Sequence, residues 1–349
     1  AHTRIICPVH KAVNKRSKNY PNYLLSGLRH GFNPGMECTL SQNKISNNLQ
    51  SALAEPDIVN DLIKKEVNSG FMISPFNNPP FKVFRISPIR VATRKYSGKK
   101  RLIIDLSSPH NSPVPSINSL ILLDEFSLRY HDIDQAVELI KIAGRGAWLT
   151  KVDITSAFKV MPIHPDLWHL FRIRWLEKFY FAVHLTFGCK SSPKIFDMLH
   201  CWILLNNYAI PHLIHLLDDF LIISPPDAIP AAHILTIRKV FSELGIPIAQ
   251  EKTMGPTTSI EFLGINLDSV KFQISLPKEK IDRIILVSST LLASPSCSKS
   301  ELLSLLEHLN FAMRIIPQGC PFISHLLSLA SSVHTLEDLT CATTNLGSG

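Results

Sequence analysis

Two adjacent aspartates, Asp218 and Asp219, interrupt the apolar run HLIHLLDDFLIIS, residues 212 to 224. Carboxylates are rarely buried without partners, so a pair flanked by Leu216, Leu217, Phe220, Leu221, Ile222 and Ile223 needs a reason. One reason is a turn, where aspartate side chains bond nearby backbone groups. The other is chemistry. A third acid, Asp153, stands near the end of AWLTKVDIT (147 to 155), which reads as a buried strand. A sheet that set Asp153 beside the 218/219 pair would gather three carboxylates that repel one another unless cations sit among them. Such a donor set suits Mg²⁺, a hard ion that prefers oxygen. Two such ions about 4 Å apart are the general device of phosphoryl transfer, one activating the attacking oxygen and the other steadying the leaving oxygen.

The flanking patterns supply elements to carry these acids. HLIHLL and FLIIS read as two short strands of a tight hairpin with both carboxylates at its tip. In SSPKIFDMLHCWILLNNY (191 to 208), Ser192 as N-cap and Pro193 at the first helical position predict a helix with Ile195, Phe196, Leu199, Trp202 and Ile203 on one face. Helices are also expected at 55 to 70, where Ile58, Leu62, Ile63 and Val67 recur at helical spacing, and at 133 to 144, between Asp132 and Gly144. From 71 to 120 short β-like runs are broken by proline, and Ser97-Gly98 predicts a hairpin. IEFLGINLD and KFQISL are further strand candidates. Beyond Pro277 the pattern is helical, with a capping box at Ser298 and Glu301.

Charge is unevenly placed along the 349 residues. The net charge is +8, yet residues 1 to 50 hold seven cations against one acid and residues 51 to 100 nine against four. Lys82 to Arg101 alone carries eight cations and no acid, either a solvated face or a surface for a polyanion such as nucleic acid or a nucleotide. The hydrophobic content of 45% is that of a folded protein, and no apolar stretch reaches the roughly 18 residues needed to cross a bilayer. Without a signal-peptide core the expectation is a protein with no membrane role, inside the cell, in cytoplasm or nucleus. Seven cysteines, odd in number and without a Cys-x-x-Cys pair, argue against a disulfide framework or zinc ribbon, and Cys7-Pro-Val-His10 is only half of a zinc spacing.

In sequence order, six stretches resemble the motifs of reverse transcriptases: RLIIDLSSPHN (101 to 111), KVDITSAFKVMPIHPD (151 to 166), LTFGCKSSPKIFDML (185 to 199), HLLDDFLIIS (215 to 224), LGIPIAQEKT (244 to 253) and EFLGINLD (261 to 268). LLSGLRHGF, the stretch from SALAEPDIVNDLIKKEV through SPFNNPPF, and HLNFAMRIIP are similar to the DIRS-type retrotransposon branch, with the Ty3-like branch second. The resemblance implies an α+β right-hand polymerase with an antiparallel palm sheet, fingers and a helical thumb. Its expected divisions are a loosely ordered basic leader (1–54), fingers with the start of the palm (55–148), palm (149–276, with part of the fingers inserted near 163–183) and helical thumb or connection (277–349). The implied activity is RNA-directed DNA synthesis, taking dNTPs, a primer and an RNA or DNA template.

Carried onto this chain, the resemblance makes Asp153, Asp218 and Asp219 the catalytic, metal-binding carboxylates, with the carbonyl of Ile154 a further ligand and Mg²⁺ (Mn²⁺ as substitute) the cofactor. Phe158 falls where an aromatic blocks a ribose 2′-hydroxyl, although core packing explains it too. Arg101, with Lys95 or Lys99, falls at the triphosphate, and Phe187 and Gly188 fall in the substrate-binding motif. Lys252 matches a lysine that protonates the pyrophosphate leaving group, or is merely solvated. Leu216 stands where the family usually has tyrosine, Phe187 where many retroviral enzymes carry glutamine, and Asn118-Ser119 where Asn-Asp is common in the DIRS branch. Two other readings remain open: a nuclease of ribonuclease H type, for which the C-terminal SSVHTLEDLTCATTNLGSG is too short, so that any such activity lies outside this chain, and an inactive nucleic-acid-binding remnant.

Overall fold

The computed structural model describes residues 20–36, 43–78, 81, 83–93, 98–121, 132–201, 212–243, 245–332 and 339–341. These fall into two compact units, each assembled from three separated stretches. The first comprises residues 1–131, 152–220 and 232–253, the second residues 132–151, 221–231 and 254–349.

In the first unit a five-stranded mixed sheet runs in the order Lys44–Ile45, Arg85–Ile86, Arg172–Trp175, Lys178–Ala182, Met72–Phe76. The first three strands are parallel and the rest antiparallel. Ile86, Ile173 and Phe181 fill its core. Arg172 is fully buried there with no side-chain acceptor bond among the described residues, its guanidinium lying 4.3 Å from the ring centroid of Phe84 and 4.7 Å from that of Phe181. Aromatic faces thus stand in for an anion, and burial lowers this guanidinium to about 10. The two strands of the basic hairpin pair as read, Ile89–Thr93 antiparallel to Lys100–Ile104, while Ser97 of the expected turn lies outside the described residues. Helix Pro56–Asn68 buries Val59 and Ile63, with Pro56 at the position where a missing N–H costs nothing.

The expectation of a loose leader does not hold for residues 20–36. Tyr20–His30 is a helix that buries Leu24, and Phe32 after it is fully buried. Phe32 N donates to Pro162 O at 2.8 Å and His164 N donates to Phe32 O at 3.1 Å, so this segment is part of the folded body. The glycines of LLSGLRHGF explain themselves: a Cβ on Gly27 would strike the Phe32 ring, and Gly31 has φ +94° with the backbone of His164 where a Cβ would go. Composition hid this because a polar, basic stretch can still present one apolar stripe.

In the second unit, helix Ile133–Ala143 opens on the capping box of Asp132 and Gln135 and closes at Gly144. Strands Ser259–Phe262, Ile265–Asp268 and Gln273–Ser275 make an antiparallel meander. Helices Lys278–Ala293, Lys299–Ala312 and Cys320–Ser332 follow, the second started by Ser298 and Glu301 as expected. Cys297, Leu302, Leu306, Ile323 and Ala330 form their core. A short strand pair, Ser296–Ser298 with Leu339–Cys341, was not visible in the helical pattern.

Asp153 ends the strand Trp148–Asp153, and Asp219 begins the strand Asp219–Ser224, which follows Leu213–Leu216 in the chain. Met254–Thr257 is antiparallel to Trp148–Asp153. All the proposed catalytic side chains belong to the first unit.

Candidate active site

Asp153 ends its strand and is 5% exposed. The backbone around it ties three segments together: Ile154 N donates to Asp218 O at 3.0 Å, Ala249 N donates to Asp153 O at 2.9 Å, and Thr155 N donates to Pro247 O at 2.8 Å. The backbone at and just after the first acid is therefore bonded directly to Asp218 in the turn and to the segment leading to Lys252. In the hairpin the turn residues are Leu217 and Asp218, while Asp219 already begins the second strand, a shift of one residue from the expected tip. Leu217 adopts φ +55°, a left-handed conformation that leucine seldom takes.

The electrostatics of the cluster are those of crowded carboxylates. Burial pushes the Asp218 carboxyl above its ordinary range; the charges of Asp219 and Asp153 push it further, against the opposing effects of its backbone hydrogen bond and Lys252. Lys252 Nζ donates to both oxygens of Asp153, at 2.9 and 3.0 Å. This lysine is thus not merely solvated, since it neutralises the most buried acid of the three. Among the described residues no group of three His, Cys, Asp or Glu side chains is arranged as a finished metal cage. The donor chemistry still fits a hard divalent ion, because the charges of Asp219 and Asp153 both reach the Asp218 carboxyl.

Phe158 follows the acid on a 3-10 turn, Ala157–Val160, reached through Ser156 at φ +65°. It is buried, edge-on to Phe187 (5.2 Å between centroids) and Phe196 (5.7 Å). Arg101 lies over the Phe187 ring at 5.3 Å, as Lys159 does at 5.8 Å. Gly188 has φ +107° and passes so close to Ile104 O that any Cβ would collide, which locks the second motif against the hairpin strand Lys100–Ile104. Arg101, Phe158, Phe187 and Gly188 are therefore brought into one neighbourhood. Lys99 is exposed, Lys100 is paired with Glu55, and Lys95 lies outside the described residues.

Several participants escaped the sequence reading. Asn118 Nδ2 donates to Gly188 O at 2.8 Å and its Oδ1 accepts from Lys190 N at 2.9 Å, pinning the second motif from the fingers side. Lys159 is paired with Glu66. Single polar residues of this kind carry no spacing signal, and at Asn118-Ser119 the sequence draws notice only to the second residue.

Comparison with known proteins gives these features a family. The model described as reverse transcriptase (RNA-dependent DNA polymerase) matches residues 93–267. Among curated proteins, the Pro-Pol polyprotein of Simian foamy virus type 1 is 26% identical over 256 residues, covering 68% of this chain and 20% of that polyprotein. The feline foamy virus Pro-Pol polyprotein is 25% identical over 288 residues, 79% of this chain and 21% of the polyprotein. The chain thus spans about a fifth of the length of the curated relatives it matches. Among solved structures, a foamy viral protease-reverse transcriptase in complex with double-stranded DNA superposes with TM-score 0.64 at 19% identity, over 97% of this chain and 58% of that one. The same protein with an RNA/DNA hybrid gives 0.63 at 18%, over 97% and 44%. The likeness shows that the fold is the right-hand polymerase fold of reverse transcriptases. Reverse transcriptase domains use divalent metal ions. Among the described residues no helix is long and apolar enough to cross a membrane.

Proposed function

This chain belongs to the reverse transcriptase family, and from that premise we propose that it is an RNA-directed DNA polymerase of a retroelement that extends a primer with dNTPs on an RNA or DNA template. The observation that carries the proposal is the junction of Asp153, Asp218 and Asp219, tied by the Ile154 to Asp218 backbone bond and coupled electrostatically. These three carboxylates, with the Ile154 carbonyl, would hold Mg²⁺, or Mn²⁺ in its place. When bound, such ions activate the primer 3′-hydroxyl and neutralise charge on the transferred phosphoryl group.

The chain's own residues supply the rest. Lys252, ion-paired to Asp153, is close enough to the carboxylates to protonate the departing pyrophosphate oxygen once it lets go of Asp153. Arg101 offers five donors in a fixed fork suited to phosphate oxygens, and the Phe187 ring beneath it limits where that fork can lie. Phe158, wedged between Phe187 and Phe196, has little room to yield to a 2′-hydroxyl, which favours deoxynucleotides. The exposed Lys99 is free to meet template phosphates.

Within retroelements we read the chain as DIRS-like, supported by LLSGLRHGF and HLNFAMRIIP. The test of function is extension of oligo-dT on poly-rA by the full chain, with and without EDTA. Retained template binding with no extension in either Mg²⁺ or Mn²⁺ would instead support the inactive nucleic-acid-binding remnant.

A further inference from the structure

Three residues to which the motifs assign no role, Lys194, Asp197 and His215, lie on the aspartate hairpin and the helix Ser192–Cys201. His215, on strand Leu213–Leu216, is 4% exposed, and its Nε2 lies 3.4 Å from Oδ1 of Asp197. Asp197, 5% exposed, is on helix Ser192–Cys201, and its Oδ2 lies 3.7 Å from Lys194 Nζ. The imidazole also stacks on Phe220, 5.3 Å between centroids at 18°, and Phe220 meets Phe241 edge-on at 5.8 Å. Charged and polar groups in an apolar interior are expensive, and an aromatic or aliphatic residue would serve packing alone.

The hairpin gives this expense a use. Leu217 is held at φ +55° without glycine's freedom, and such a conformation persists only where its surroundings over-determine it. On one side the carbonyl of Asp218 accepts from Ile154 N. On the other side His215 and Phe220 stand just before and just after the segment Leu216 to Asp219, and His215 reaches the helix through Asp197.

We propose that Lys194, Asp197 and His215 form a buried polar brace that positions the Leu217-Asp218 turn, and so sets Asp218 and Asp219 relative to Asp153. They act as positioning residues that touch neither substrate nor reacting atoms. The inference rests on the polymerase reading above.

The test uses the full chain and separates polarity from stacking. His215→Phe keeps a ring on Phe220 but removes the nitrogen facing Asp197; His215→Gln keeps an N–H donor at similar reach but removes the ring. For the brace, His215→Phe lowers kcat on the order of 100-fold, as a misplacement of about 1 Å can do. It leaves KM for dNTP and primer-template affinity within roughly two-fold, and it weakens Mn²⁺ binding followed by electron paramagnetic resonance. His215→Gln recovers most of the rate. Asp197→Asn, nearly isosteric, repeats the His215→Phe result and keeps the question answerable if His215→Phe fails to fold. Wild-type turnover and Mn²⁺ affinity in both His215→Phe and Asp197→Asn overturn the brace alone, as does a slow His215→Gln beside a fast His215→Phe. A wild-type chain that neither extends primer nor binds Mn²⁺ overturns the polymerase reading and the brace with it.

Discussion

Removing Lys252 should make the metal-free protein less stable and its metal affinity higher. Lys252 Nζ lies 2.9 and 3.0 Å from the two oxygens of Asp153, so Lys252→Ala strips the cation from the most buried acid of the cluster. Unit charges at that distance attract by ~6 kcal/mol at an effective dielectric of about 20 and by ~1.5 kcal/mol in water. The lysine side chain is 50% exposed against 7% for the aspartate, which places the interaction toward the aqueous end. After the entropy of ordering a long side chain, a net of about 1–2 kcal/mol is expected. The melting temperature of the EDTA-treated protein should fall by a few degrees, at about 2–4 °C per kcal/mol for a chain of this order of size. Mn²⁺, which competes with the lysine for Asp153, should bind about 5- to 30-fold more tightly, the same free energy seen from the other side. Lys252→Arg should leave both values near wild type while slowing turnover, because guanidinium does not give up a proton. Thermal denaturation in EDTA and Mn²⁺ titration read the two effects. Unchanged melting and unchanged Mn²⁺ affinity in Lys252→Ala would refute the reasoning.

The two aspartate substitutions should have opposite effects on metal-free stability: Asp153→Asn loses the Lys252 ion pair and melts lower, whereas Asp218→Asn removes a carboxyl that resists ionisation and melts higher at neutral pH. Because Asp218 is raised, its contribution is fully present below the unfolded value of about 3.9 and is lost as pH rises through the folded value, so metal-free stability should decline over that window and the decline should be smaller in Asp218→Asn. Phe158→Val should raise ribonucleotide use relative to deoxynucleotide use in primer extension, and an unchanged ratio would leave Phe158 as core only; Phe158→Ala should in addition lose about 3–5 kcal/mol of stability. Arg101→Ala should raise KM for dNTP with primer-template affinity intact. Lys99→Ala should reduce the slope of log affinity against log salt by roughly 0.7–0.9, and Lys100→Ala by less because Glu55 already pairs it. Three mutants without effect on either quantity would make the run a solvated face.

Periodicity and turn chemistry made much of this legible in advance. The helix between Asp132 and Gly144, the capping box at Ser298 and the pairing of Ile89–Thr93 with Lys100–Ile104 are local devices, and they form as read. The helix at 191 to 208 starts one residue earlier than its Ser192 cap predicts, at Ser192 itself, and residues 202–211 lie outside those described. What was hidden is what depends on tertiary pairing. The leader helix was obscured by its basic composition until Gly27 and Gly31 met Phe32 and His164. The lysine clamp on Asp153 joins residues 99 positions apart, and His215 with Asp197 joins different elements, so neither produces a periodic pattern. The three acids were readable because charge in an apolar run is conspicuous, and Lys252 through its motif; the pairing of Lys252 with Asp153 and the supporting asparagine and histidine contacts were not, because polar residues at loop and helix positions are ordinary.

The central claim is that Asp153, Asp218 and Asp219 jointly drive metal-dependent DNA synthesis, and Asp218→Asn tests it most directly because that variant is expected to fold at least as well as the wild type. Oligo-dT annealed to poly-rA should be extended by the wild-type chain in Mg²⁺ or Mn²⁺ and not in EDTA. Asp218→Asn, melting at or above the wild-type temperature and binding primer-template normally, should extend nothing above background. Extension by Asp218→Asn at the wild-type rate would contradict the account.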